Sequence, residues 1–208
     1  MTAKKRFENF WYYHKNHVII VCVLAVFVII ISYQMFSKTN YDNTVVVAGN
    51  IPATLADDTQ FVKDISPVFK DVNGDGEVNI NTTFIPFGGE IGSTTDAEMA
   101  LAYPQQLQAV LAADDANIFI VTEDILISYG RDKAFADVSD IQRELGLTDC
   151  KYQNGILIKN RELISALSLY DDVDYYIAVR VNDGLSKLKG QKKTSYKNAY
   201  NFMRELAK

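Results

Sequence analysis

Nine residues from Asp71 to Asn79, Asp-Val-Asn-Gly-Asp-Gly-Glu-Val-Asn, carry oxygen side chains at the spacing of a loop that wraps a hard cation. Asp71, Asn73 and Asp75 take the first, third and fifth positions of the calcium-loop pattern, and Gly76 supplies the sharp turn at the sixth. Glu77 would ligate through its backbone carbonyl, Asn79 through a water, and Val78 fills the apolar eighth position. Position twelve is Thr82, where such loops carry a bidentate acid, so weakened affinity is expected. A plain turn joining a helix to a strand also favours these residues. Calcium is the cofactor this motif suggests, in a structural role that pins a helix to a strand.

Catalytic chemistry finds less to work with. Both histidines, His14 and His17, precede the apolar run, so Cys150 has no imidazole nearby in sequence to make it a thiolate nucleophile. There is no G-x-S-x-G, no H-E-x-x-H and no phosphate-cradling glycine loop. The acid pairs Asp57-Asp58, Asp114-Asp115 and Asp171-Asp172 read as solvated helix ends, because adjacent residues do not share a helix face. No enzyme activity is expected.

The elements that would position a site follow from hydrophobic periodicity. Thr44 to Gly49 is a continuous β-branched run, a strand buried on both faces. Phe61, Ile65, Val68 and Phe69 recur at helical spacing, and Val78, Ile80, Thr82 and Phe84 alternate in a strand that stops at Pro86. A helix over 96–113, interrupted or restarted at Pro104, leads to a strand at 117–122. Short helices at 125–129 and 141–145 follow, then a hairpin on the Asn154-Gly155 turn, a helix at 161–168, a strand at 174–181 and a closing amphipathic helix at 194–207. Alternation of this kind predicts an α/β domain with a doubly wound, mostly parallel sheet. Ligands of such sheets lie at the carboxyl ends of the strands. That rule selects Asn50, Pro86, Phe87, Gly88, Gly89, Glu123 and Asp124 as the candidate ligand-binding set.

Val18 to Phe36 holds about nineteen residues without a charge, long enough to cross a bilayer core of roughly 30 Å. No small-x-small cleavage site follows, so a retained transmembrane helix is expected in preference to a signal peptide. Lys4, Lys5, Arg6 and Lys15 precede the run against Lys38 after it, which directs the N-terminus to the cytoplasm and the rest of the chain outward. Phe7, Phe10, Trp11, Tyr12 and Tyr13 suit an interfacial aromatic belt. The expected organisation is a cytoplasmic and interfacial tail at 1–17, the span at 18–36, a spacer at 37–43 and a domain at 44–208. Beyond the first forty residues the chain has 16 basic and 25 acidic residues, which argues against nucleic acid and favours cations over polyanions as ligands. Cys22 lies in the span and Cys150 far outside it, so they are not expected to pair.

The segment LAYPQQLQAVLAADDAN, running into IFIVTED and then SYGRDKAFADVSDI, resembles the first lobe of extracellular solute-binding proteins of the type II periplasmic-binding fold. The later YYIAVRVND and AYNFMREL are similar to the strand and final helix that close that lobe. The resemblance spans about two-thirds of the domain on loose hydrophobic patterns. It departs where a second lobe would be inserted, since only a few dozen residues stand there. What the resemblance implies is a single tethered lobe, recognising a small solute or a membrane partner such as a transporter; the other reading is an envelope scaffold that contacts proteins.

Overall fold

A computed structural model describes residues 3–36, 41–51, 59–87, 94–114, 116–148, 150–159, 169–170, 172–182 and 184–207. The chain divides into two units, Met1–Asn40 and Tyr41–Lys208.

In the first unit a single helix, α1 (Ala3–Phe36), runs without a break through the aromatic tail and the apolar segment. Its stretch Phe10–Tyr33 is long and apolar enough to cross a membrane, beginning earlier than the sequence reading placed it. Apolar side chains from Ile19 to Ile31 are exposed along it, with no partner in this unit to bury them. Phe10 packs on His14 with ring centroids 5.0 Å apart, and His14 on His17 at 6.1 Å, as side chains three and four apart on a helix must.

The second unit is built on five strands: β1 (Asn43–Gly49), β2 (Ile80–Pro86), β3 (Ile118–Thr122), β4 (Ile156–Leu157) and β5 (Tyr175–Val179). Their order is β2-β1-β3-β5-β4. β1 pairs parallel with β2 from Asn43↔Ile80 to Gly49↔Pro86, and parallel with β3 on its other side. β5 pairs antiparallel with β3, Thr122 opposite Tyr175, and β4 antiparallel with β5. The sheet is therefore mixed, not mostly parallel: β5 enters beside β3 at the end where β3 leaves. Periodicity reports that a segment is a strand, but carries no information on its direction.

Helices cover both faces. Val45 and Val47 of β1, with Ile118, Ile120 and Ile177, pack against α2 (Thr59–Ile65), α5 (Ser139–Glu144) and α6 (Gly190–Leu206). Val46 and Ala48, with Phe119, Val121 and Ala178, pack against α3 (Thr94–Ala113) and α4 (Glu123–Arg131). This two-sided burial explains why β1 and β3 read as unbroken apolar runs. Each buried Val or Ile in them contributes about 1.5–3 kcal/mol of transfer free energy.

Two local expectations give way to packing. The helix expected to reach Phe69 stops at Ile65 and tightens into a 3-10 turn at Ser66–Val68, because Pro67 has no N–H to continue it. The Asn154-Gly155 turn makes no hairpin; β4 pairs with β5 instead. A Cβ on Gly155 would stand 2.9 Å from Leu126, so the turn lies directly on α4. The helix expected at 161–168 falls outside the described residues.

Candidate functional site

Gly49 closes β1 with φ +141°, and a Cβ there would sit 2.4 Å from the Thr122 hydroxyl oxygen. Only glycine lets the ends of β1 and β3 meet this closely. The Phe87 N–H donates to the Gly49 carbonyl at 2.6 Å, which holds the end of β2 beside them. The carboxyl ends of the three parallel strands thus form one edge.

Along that edge the candidate residues separate into groups. Phe87 and Asp124 line a cleft of about 310 Å³ with Pro104, Gln108, Ser128, Tyr129 and Asp132. The Phe87 ring lies 6.5 Å from that of Tyr103. Asp124 accepts a hydrogen bond from the Thr122 hydroxyl, and its backbone carbonyl accepts one from Ser128 at 2.7 Å. Burial, and secondarily Asp132, holds the Tyr129 phenol above its usual pKa, so it remains a neutral donor to the Pro104 carbonyl. Two aromatic side chains and two carboxylates line this cleft, a combination that suits a small cation with some apolar surface.

Glu123 turns to other partners. Lys151, Tyr152 at 2.9 Å and Tyr176 at 3.4 Å all donate to one of its oxygens. The Lys151 hydrogen bond, then that from Tyr152, holds the Glu123 carboxyl below its usual range. A carboxylate so stabilised is a poor proton donor at neutral pH. Asn50 is exposed, and its carbonyl accepts the Tyr175 hydroxyl at 2.7 Å. Pro86 ends the β2 ladder opposite Gly49. Gly88 and Gly89 lie outside the described residues.

The cation-loop residues sit between the 3-10 turn and β2. The loop folds around the Asp71 carboxylate, whose oxygens accept the N–H groups of Gly74 at 2.6 Å and Gly76 at 2.9 Å. Those bonds hold Asp71 below its usual pKa. Asn73 accepts from Asp75 and Asp75 from Glu77, each two residues on. Gly74 and Gly76 take φ +83° and +87°, the left-handed values this winding needs. Thr82 lies within β2 opposite Val45, so position twelve belongs to the sheet. Among the described residues no three His, Cys, Asp or Glu side chains gather as a metal site.

Asp42, which sequence reading missed, anchors this loop to the sheet. Only 4% exposed, it accepts the N–H groups of Val72 at 2.6 Å, Asn73 at 3.2 Å and Asn79 at 2.7 Å. It ties the start of β1 to both ends of the loop. Its only sequence signal is a lone acid directly before an apolar strand.

Comparison with known proteins finds no matching family model, no matching curated protein and no matching solved structure.

Proposed function

We propose that the chain is a non-catalytic binding module tethered to a membrane by α1, its N-terminus cytoplasmic and its α/β domain outside. The observation that carries this reading is the cleft at the carboxyl ends of β2 and β3, where Phe87 and Tyr129 stand beside Asp124 and Asp132. Acidic composition beyond residue 40 and the cleft's two carboxylates favour a small organic cation as the solute. The proposed lobe is closed by β5 and α6. β5 pairs with β3 on one side and with the edge strand β4 on the other, and α6 packs on one face of this sheet. A transporter-like membrane protein is the partner proposed to supply the second wall.

Thermal unfolding of the full chain in detergent, with choline, putrescine and uncharged sugars, tests the solute. A melting temperature raised by an organic cation in the parent but not in Asp124→Asn is the expected result, since a ligand that prefers the native state stabilises it. No shift with any cation, or an equal shift in Asp124→Asn, would sink the cleft. Orientation is tested with Cys150, half-buried and unpaired, in a Cys22→Ser background. A membrane-impermeant maleimide should label it in intact cells; labelling only after permeabilisation would reverse the topology.

The second reading is an envelope scaffold with a structural calcium site. The wrapped Asp71 carboxylate favours it, because each carboxylate oxygen that accepts one N–H keeps a lone pair for a cation. Asp71, Asn73, Asp75 and the Glu77 carbonyl would be the ligands, with Asn79 reached through water. Calcium should then raise the melting temperature and a chelator lower it, both effects vanishing in Asp71→Asn.

A further inference from the structure

A second cleft lies away from the strand-end edge. It measures about 620 Å³ and runs between the entry to α5, the outward face of α6 and the loop after β5. Its chemistry is divided by wall. Asp137 and Asp140 line the α5 side, while Lys197 and Arg204 line the α6 side. The exposed Val181 and the half-buried Leu185 and Tyr200 supply its apolar surface.

Each wall is held in place by bonds of its own. Asp137 accepts the N–H of Ser139 at 2.8 Å together with its hydroxyl, which keeps the carboxyl ionised below its usual range. Arg204 grips Glu144 at 2.9 Å, and this pair joins α6 to the end of α5 at the cleft's border. The site is thus a pre-formed slot, of the size that takes small ligands, about 300–1,000 Å³. One side is anionic, the other cationic, and apolar surface lies between.

We propose that this slot binds a short peptide of two or three residues with free termini. Its ammonium group meets Asp137, its carboxylate meets Lys197, and apolar side chains lie on Val181, Leu185 and Tyr200. Two or three extended residues separate the termini by roughly 7–10 Å, which a single amino acid cannot do. This site is independent of the strand-end cleft, and neither proposal needs the other.

The test is calorimetric titration of the full chain in detergent with leucyl-leucine, and with the same dipeptide acetylated and amidated. Free leucyl-leucine should bind at least about tenfold more tightly than the capped form, a difference worth one decade in Kd. Lys197 is exposed on α6, so Lys197→Glu should fold and lose about tenfold in affinity, while Asp124→Asn binds like the parent. Equal binding of the two dipeptides, no binding of either, or an unchanged Lys197→Glu would overturn the proposal. Binding lost in Asp124→Asn but kept in Lys197→Glu would assign the peptide to the strand-end cleft, overturning this site and leaving that one standing.

Discussion

Asp42 shows how one side chain can decide whether a loop needs a ligand. Three N–H groups point at its carboxylate from Val72, Asn73 and Asn79, and the group is almost wholly buried. Asp42→Ala strands those donors and should cost about 3 kcal/mol, measured by urea denaturation. Asp42→Asn should cost less. It retains one acceptor for Val72 and Asn73, but sets an amide N–H against that of Asn79. Asp71→Ala, on a loop that water reaches, should cost under about 1 kcal/mol without calcium. An Asp71 variant as damaging as Asp42→Ala would refute that ranking. The motif from Asp71 to Asn79 was legible in the sequence because its turns are local. Asp42, about thirty residues earlier, was not, because its partners arrive only with the pairing of β1 and β2.

At the scale of elements, the core depends on buried tyrosines at sheet and helix positions. Burial pushes the phenols of Tyr175 and Tyr176 on β5, and of Tyr196 on α6, up to about 12. A pKa raised in the folded state stabilises below the unfolded value near 10 and loses that stability as pH rises toward 12. Alkaline unfolding should therefore set in between about pH 10 and 12, followed by circular dichroism, and Tyr175→Phe should delay it. Unfolding complete below pH 10 would contradict this. Where β1 meets β3, Gly49→Ala forces a Cβ into Thr122 and should destabilise by about 3 kcal/mol. Pairing Gly49→Ala with Thr122→Ser should recover part of that loss, because it removes the methyl carbon 2.5 Å from the added Cβ. Strand identities were legible from β-branched runs. The Asn154-Gly155 turn misled, since turn chemistry is local, while the choice of β5 as the partner of β4 belongs to the sheet.

For the molecule as a whole, the division at Asn40 and Tyr41 predicts that Tyr41–Lys208 folds alone. The fragment should be soluble without detergent and unfold in one cooperative transition, as single domains of this size do; aggregation or a non-cooperative melt would show that it depends on α1. Composition and hydrophobic period alone determined that this chain has one apolar helix of membrane-spanning length and one α/β domain. Both follow from near-neighbour patterns that water and lipid read directly. Only the tertiary structure decided the direction of β5, the separation of Glu123 from Asp124, and the meeting of Asp137 and Asp140 with Lys197 and Arg204 across one cleft. Each of these depends on partners distant in the chain. Burial selects their packing through the summed shape of the core, which no local pattern encodes.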